Sequence, residues 1–459
     1  MKNIRYIIVA LFVFVCSSVS IAQTPVSSYF LDGMLYNSKL NPAMKAERGY
    51  FSLLLGNFSL RTKGNVGISN FLYPRGDNEL ATFMSGSVDK DEFLGKLPDY
   101  TKLGFDLDET ILALGFRLFG GYASFDVSMH SSTSISLPKG LFEFAKKGLQ
   151  KEAYSFSGIN FNTMNYTAAT IGYSRNIVKG LRFGANFKYL MGLAHANILV
   201  DKLNVELSDQ RWMIESHASA QVTAGTEIRA VLDEDGTVDG IEFGTLYPSA
   251  SGFALDLGLV YDMDSIVPGL KLSASVVDLG FINWKHMMRG QSTDAKVEFN
   301  GFDEVDYNDM ESTVNAELER LGNDAMKMVE FNYEGTVEAK TKLNTTMYLG
   351  AEYSMPFYKR LSVGVLYAQC FSPFESKKWY EARGFLNIAP VKWIEASVNY
   401  GYGSYGTSLG WVLNFHPAGI NFFIGSDYMI TKVTPQYIPI DNLNSHITFG
   451  LNLALGKRK

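Results

Sequence analysis

Regular alternation of apolar and polar residues runs through the chain from residue 50 onward, and it constrains the fold more than any other feature. It is clearest at 121–130, 181–192, 253–263 and 445–455. A period of two residues indicates β-strands that turn one apolar face to a hydrophobic environment. Each segment is about ten residues long, which is also the length of a tilted strand that crosses a bilayer.

The connections between these segments alternate between short and long. The predicted strands are 50–60, 108–118, 121–131, 166–175, 181–192, 253–263, 270–280, 343–354, 361–371, 382–389, 393–402, 407–415, 420–430 and 445–455. Tight turns on one side and long loops on the other are typical of bacterial outer-membrane barrels. The sequence therefore predicts an all-β fold, a transmembrane antiparallel β-barrel with short periplasmic turns and long extracellular loops. We expect 14 strands, although 195–207 and 211–223 also look extended and would make 16.

Composition agrees with a wall that faces lipid. Only 19% of the residues are charged, whereas 14% are aromatic, so disorder is excluded. A net charge of −6 gives no basis for nucleic-acid binding. Aromatic residues that lie near strand ends suggest a girdle at the headgroup layer; they are Tyr173, Tyr261, Tyr353, Trp393, Tyr400 and Tyr428.

The N-terminus has the three-part layout of a secretory signal. A basic start is followed by ten apolar residues from Tyr6 to Val15 and then by Ser20-Ile21-Ala22. We expect a signal peptide at 1–22, cleaved between Ala22 and Gln23, and residence in the cell outer membrane. Cys370 is then the only cysteine, which excludes an intramolecular disulfide.

The strand faces that point away from the lipid carry glycines and charges. The inward glycines are Gly115, Gly172, Gly184, Gly258, Gly350, Gly364, Gly410, Gly425 and Gly450. They either leave room for a plug or a passage, or they serve barrel curvature. The predicted lumen-lining charges are Arg117, Asp126, Arg182, Lys188, Asp256, Asp262, Lys271, Glu352, Glu395 and Asp427. Both signs occur, so they form either cross-barrel ion pairs or a selectivity filter.

Signals for enzymatic or metal chemistry are sparse. The six histidines form no HxH or HxxxH pair, and His130 near Ser128, Ser131 and Ser132 is the one arrangement that resembles part of a hydrolase site. We interpret it as structural and expect no enzyme and no cofactor. Asp233-Glu-Asp-Gly236 misses the spacing of a calcium loop. Short loop helices are expected within 87–97, 138–147 and 303–321.

Three stretches carry a family resemblance. Leu40-Asn41-Pro42-Ala43 precedes the first strand, Gly64 to Tyr73 follows it, and a later hairpin runs from Gly252 to Gly258 and closes at Asp278 to Trp284. Together they resemble an uncharacterised family of exported barrels from Bacteroidetes-type Gram-negative bacteria, related to FadL-like transporters and to the PorV-like barrels of a protein-secretion system.

This resemblance implies that the N-terminal segment folds inward. Residues 23–49 would form a plug or hatch with the motif Asn41, Pro42 and Ala43, and 50–459 would form the barrel. In a FadL-like reading, small hydrophobic molecules pass through a lumen lined or gated by this motif with Arg182 and Lys188, which predicts an apolar cavity. The alternative is a structural or partner barrel for protein secretion or surface attachment, with its lumen filled. Outer-membrane lipid is a partner in both.

Overall fold

The computed structural model of the chain is an antiparallel β-barrel. It describes residues 24–46, 48–75, 79–147, 153–207, 212–224, 226–232, 238–246, 250–292, 295–299, 331–374, 377–429 and 443–456. The strands up to the middle of the chain are β1 Gly49–Leu53, β2 Phe58–Gly64, β3 Leu72–Arg75, β4 Glu79–Thr82, β5 Tyr100–Leu118, β6 Gly121–Pro138, β7 Ala153–Ser155, β8 Ile159–Val178, β9 Leu181–Leu207, β10 Trp212–Ala224, β11 Thr226–Leu232 and β12 Val238–Leu246. The remaining strands are β13 Ala250–Asp262, β14 Leu270–Ser292, β15 Ala295–Phe299, β16 Phe331–Lys342, β17 Thr345–Ser354, β18 Leu361–Phe371, β19 Trp379–Val391, β20 Ile394–Gly403, β21 Gly406–Phe415, β22 Ile420–Ser426 and β23 Ser445–Leu455.

The sheet closes between the first and the last strands. Gly49 of β1 lies opposite Leu455 of β23, and Phe58 of β2 lies opposite Phe449. On their other side β1 and β2 both pair with β5. Closure joins the two ends of the described membrane-spanning wall, which is the condition for a sheet to cross lipid with its backbone groups satisfied.

The predicted number of strands is confirmed, because the closed wall has 14 positions. Several positions are shared by two strands: β1 and β2 share the first, and β16 and β17 share another. The extended stretches 195–207 and 211–223 fall in β9 and β10. The strand β10 continues the position of β13 between β9 and β14, so these stretches lengthen the wall and do not widen it.

Several strands are much longer than a bilayer requires. The strand β9 has 27 residues and β14 has 23, whereas about 9–11 residues cross the hydrocarbon core. Their excess length lies at the ends opposite the tight turns, where β10 pairs with β9 and β16 pairs with β14, and β15 pairs in turn with β10. The loop side of the barrel therefore carries a raised rim of sheet.

Two of the predicted loop helices are confirmed. Helix α1 spans Lys90–Gly95 and helix α2 spans Lys139–Lys147. Asp89 caps α1 by accepting hydrogen bonds from the backbone N–H groups of Asp91 and Glu92. The predicted helix at 303–321, the acidic turn at 233–236 and the signal segment 1–22 lie outside the described residues. Among the described helices, none has both the length and the apolar character needed to span a membrane.

The outward face of the wall is apolar, as expected. Val365, Leu386, Leu451 and Phe187 are each more than half exposed in the isolated chain, so their side chains face lipid. Trp393 and Tyr400 are also exposed. The girdle assignment of Tyr428 is wrong: its ring is buried and its hydroxyl donates to Glu381 at 3.4 Å. The residue follows the end of β22, where strand alternation no longer decides the direction of a side chain.

An arginine at Val365, in the middle of β18, is expected to destabilise the barrel by about 2–4 kcal/mol, because a charge would face the bilayer midplane. The same substitution at Val391, beside a tight turn, is expected to cost about 0–1 kcal/mol, because the side chain reaches the interface. Denaturant unfolding of the two variants in lipid vesicles measures the difference. Equal losses of stability in the two variants would contradict the placement of Val365 at the bilayer midplane and of Val391 at the interface.

Candidate functional site: the barrel lumen

The lumen contains residues 24–46, here called the N-terminal segment. Its apolar side chains pack on inward-facing wall residues in two clusters. One joins Leu31, Met34 and Tyr36 to Val412 and Phe423. The other surrounds Tyr29 and Phe30 with Tyr348, Leu366 and Phe385. The segment thus packs inside the barrel on inward-facing residues of several strands.

Two wall carboxylates hold backbone N–H groups of the segment. Asp427 accepts from the N–H groups of Val26 and Ser27 at 3.1 and 2.7 Å, and from the Ser27 hydroxyl at 2.7 Å. Glu395 accepts from the N–H of Gly33 at 3.1 and 3.0 Å. Both carboxylates are buried, so these charge-assisted bonds compensate part of their desolvation.

The predicted motif Asn41, Pro42 and Ala43 lies against β9, β13 and β14. The Asn41 amide donates to the carbonyls of Leu259 and Ala274 at 3.2 and 3.3 Å. The Ala43 carbonyl accepts from the Arg182 guanidinium at 3.3 Å. The motif is therefore in contact with the wall, and Arg182 is one of its partners.

Inward glycines make room for the segment. An added Cβ at Gly184 would collide with the backbone of Pro42, and one at Gly258 would collide with Asn41. At Gly364 it would approach the Phe30 ring to 2.7 Å. Gly350 and Gly410 face the segment in the same way. Of the two explanations for the inward glycines, close approach of a plug-like segment accounts for these five.

A buried charge cluster joins three neighbouring strands. Lys188 of β9 contacts Asp256 of β13 at 2.9 Å and Asp278 of β14 at 2.6 Å. Asp278 has a positive φ of 59°, an uncommon backbone conformation for a residue other than glycine. Its N–H donates to Asp256 at 2.7 Å. Lys188 and Asp256 thus form an ion pair between adjacent strands of the wall.

Other predicted lumen charges pair with the N-terminal segment or with each other. Asp126 contacts Lys39 of the segment at 2.9 Å. Lys271 lies 3.5 Å from Asp32 of the segment and 3.7 Å from Glu352. Arg117 is exposed near a tight turn, and Asp262 lies at the same end of the barrel. The structure thus places most of the predicted charges in contacts around the segment. Arg117 and Asp262 lie instead at the end of the barrel that carries the tight turns.

Above the segment lies a cavity of about 150 Å³. This is smaller than the 300–1,000 Å³ typical of ligand pockets. Charged residues from the wall line it, together with the rings of Tyr166, Tyr348, Trp379 and Tyr405. Its lining is more polar than the apolar passage expected from the sequence, because the lumen buries ion pairs between strands.

Two lysines line this cavity, and no carboxylate among the residues that the structure describes forms an ion pair with either of them. Lys63 lies over the Trp379 ring, 4.2 Å from its centroid. Lys377, in the loop between β18 and β19, donates to the carbonyl and hydroxyl oxygens of Ser132 at 3.2 and 3.1 Å. Burial lowers the pKa of Lys377 to about 8. Both lysines are more than nine-tenths buried, and Asp106, which accepts from the Ser132 hydroxyl at 2.6 Å, places a carboxylate in the same part of the cavity.

The same cavity brings together a serine, a histidine and an aspartate. Ser128 lies 3.1 Å from Nε2 of His130, and Nδ1 of that ring lies 2.5 Å from Asp108. Ser128 and His130 share a face of β6, and Asp108 is directly opposite His130 on β5. The sequence pointed to the serine and the histidine, but it gave no sign of the aspartate.

Several functional residues are absent from the sequence-based prediction. Lys39 and Asp32 precede the first strand, where no periodic pattern orients side chains. Asp108 stands at the start of a predicted strand, and Asp278 lies at a bulge that shifts the pairing of β13 and β14. Only their charge could have identified these residues from the sequence. An ionised residue inside a barrel needs a partner of opposite charge, and that partner can be sought among the charged residues outside the predicted strands.

Replacing Gly184 with valine is expected to displace Pro42 and Ala43, since the new side chain would overlap their backbone atoms. Overpacking of this kind costs about 1–3 kcal/mol, so labelling of a cysteine placed at Ala43 should accelerate by about ten- to a hundredfold. Maleimide labelling of the folded protein, with Cys370 replaced by alanine, measures it. Gly384→Val is the matched control, because its Cβ would meet no atom within 4 Å. Equal labelling in both variants would contradict the contact.

Comparison with known proteins gives a family and a set of similar folds. The Ralstonia pickettii toluene transporter TbuX has a TM-score of 0.38 at 10% identity, with 92% of this chain and 93% of that chain covered. A Pseudomonas aeruginosa FadL homologue has a TM-score of 0.40 at 9% identity, covering 95% and 98%. The monoaromatic hydrocarbon channel TodX, as a deltaS2S3 mutant, has a TM-score of 0.41 at 11% identity, covering 96% of each chain.

At this level of similarity these barrels do not define a substrate for this chain. No curated protein sequence matches it. A family model does match, over residues 42–427, a range that extends from the Asn41-Pro42-Ala43 motif to the carboxylate that holds Ser27. The chain therefore belongs to the family of unknown function DUF5723.

Proposed function

We propose that this protein is an outer-membrane barrel that passes small molecules through a gated lumen, with the N-terminal segment as the gate. The chain would reach the membrane by a signal peptide cleaved between Ala22 and Gln23. The observation that carries the proposal is the way the segment is held: besides its apolar contacts, it depends on hydrogen bonds and ion pairs to lumen side chains, next to a cavity. Water can replace such bonds when the segment moves, so closure is reversible.

The cavity lining supports a solute with both an apolar and an acidic part. Aromatic rings of Tyr348, Trp379 and Tyr405 offer flat apolar surface. Lys63 and Lys377 are buried and form no ion pair within the described part of the chain, and an anionic group would reduce the cost of their burial. We therefore narrow the expected class from hydrophobic molecules in general to small hydrophobic molecules that carry one negative charge.

A partner barrel is the second candidate, and the raised rim supports it. The strands β9, β10, β14 and β16 extend the sheet on the loop side, which gives a rigid surface for a secretion-system protein or a cell-surface structure. The segment would then only fill the lumen. The two candidates differ in whether displacing the segment opens a path.

Deleting residues 24–46 is expected to convert a closed barrel into a conducting one, because the segment fills the lumen beside the ion-paired wall. Conductance of the purified full chain and of the deletion variant in planar bilayers measures this. Proteolysis resistance and β-sheet circular dichroism establish that each variant is folded. A folded deletion variant as silent as the full chain would contradict a gating role and favour the partner barrel.

A disulfide that can be formed and reduced tests the same gating role. A Cβ at Gly410 would lie 2.5 Å from the Ser27 hydroxyl oxygen, so cysteines at Ser27 and Gly410 are close enough for a disulfide. We expect solute uptake by vesicles containing the Ser27→Cys, Gly410→Cys variant to be absent when oxidised and to return on reduction. Each single-cysteine variant is the control. Uptake unaffected by oxidation would show that the segment does not gate.

The substrate class is tested by replacing both cavity lysines with methionine. We expect vesicle uptake of benzoate to fall by at least about tenfold, which corresponds to a loss of about 1.4 kcal/mol of interaction free energy. Uptake of benzyl alcohol should be unchanged. The methionine side chains keep the apolar contacts of Lys63 with Trp379. An equal loss for both solutes would indicate a structural role for the lysines.

A further inference from the structure

The cavity wall contains a second arrangement, which the gate does not use. Ser128, His130 and Asp108 have the order of contacts found in Ser-His-Asp hydrolases: hydroxyl to Nε2, and Nδ1 to carboxylate. All three line the cavity. We propose that this trio is an acyl-transfer site, with Ser128 as nucleophile, and that it hydrolyses a small carboxylic ester that enters the lumen.

The contacts fix the tautomer that such chemistry needs. An ionised Asp108 can only accept hydrogen bonds, so Nδ1 of His130 carries the proton and donates to it. Nε2 is then left with its lone pair and accepts the proton of the Ser128 hydroxyl. The Tyr166 ring stacks on the imidazole, with centroids 4.8 Å apart and planes within 19°. The base is thus held in orientation from two sides.

Lys39 of the N-terminal segment reaches the strand next to Ser128. Thr110 is directly opposite Ser128 across β5 and β6, and its hydroxyl oxygen accepts from Lys39 at 2.9 Å. The Lys39 ammonium, which also forms an ion pair with Asp126 at 2.9 Å, therefore lies on the side of Ser128 that faces Thr110, and we assign it to the oxyanion of a tetrahedral intermediate there. It would stabilise that charge in the same way as other positioned donors do. This residue belongs to the N-terminal segment, so the site is complete only when the segment is seated.

The proposed reaction balances without a further reactant. The Ser128 oxygen attacks the ester carbonyl while His130 takes its proton, and the bond to the alkoxide then breaks as His130 returns that proton to the leaving alcohol. Water next gives a proton to His130 and its oxygen to the acyl carbon. The acyl bond to Ser128 breaks, and Ser128 regains a proton from His130. One ester and one water give one acid and one alcohol.

The acid formed is an anion at neutral pH, and the outer part of the cavity holds Lys63 and Lys377. Along β6, Ser132 is four residues from Ser128, a distance of about 13 Å at 3.3 Å per residue, and Lys377 binds Ser132. The lysines thus lie at a distance from the reacting atoms. They do not take part in the chemistry and provide a place for an anionic product or an anionic end of the substrate.

The test uses the purified full chain in detergent with a fluorophosphonate probe and with p-nitrophenyl acetate as substrate. We expect a covalent adduct on Ser128, located by mass spectrometry, and ester hydrolysis that falls at least a hundredfold in Ser128→Ala. Ser134→Ala is the matched control: it lines the same cavity six residues along the same strand, and its labelling and rate should equal those of the parent. Circular dichroism shows that each variant is folded.

A positioning variant separates chemistry from structure. Asp108→Asn keeps the shape of the side chain but changes its hydrogen bond with Nδ1 of His130, so it should lower kcat much more than it changes KM. Lys39→Met should also lower kcat, and the covalent adduct on Ser128 should still form. Absence of an adduct on Ser128 in the folded full chain overturns the proposal. So does equal hydrolysis by the parent and Ser128→Ala. Neither result bears on gating, which the conductance experiments measure independently.

Discussion

Backbone groups that face hydrocarbon must find their hydrogen bonds inside the protein, and the rest of this structure depends on that constraint. It requires the sheet to close on itself, which β1 and β2 achieve by pairing with β23. Once the sheet is closed, every second side chain is directed into the lumen. The lumen is therefore built from the same strands as the lipid face, and each substitution in the wall affects only one of the two environments.

A lumen of this kind has to satisfy the charges that it buries. Asp427 and Glu395 obtain N–H donors from the N-terminal segment, and Lys188 obtains two carboxylates from neighbouring strands. An unpaired buried charge is costly, so wall and segment stabilise each other. This mutual dependence explains why the segment contains so few charges of its own and why glycines, such as Gly184 and Gly258, stand where it approaches the wall most closely.

The alternation of residues predicted most of the fold, because a period of two fixes both the strand and its lipid face. It predicted which residues point inward as long as the register was regular. It failed at Asp278, since the bulge there changes the face of the residues that follow: Val277 is buried before it and Ile282 and Trp284 after it. It also gave no partner for Asp126, because Lys39 lies in a segment whose conformation is set by contacts far along the chain.

The N-terminal segment gives the two proposals a common physical basis. Its seated position closes the path and also brings Lys39 next to Thr110, opposite Ser128. If the segment leaves, the lumen gains water and the ion pair of Lys39 with Asp126 is lost, so an oxyanion at Ser128 would lose the cation that we assign to it. Passage and acyl transfer would then take place in different states of one barrel. A solute would be processed while the lumen is closed and released when it opens, and the equilibrium of the segment would decide how long each state lasts.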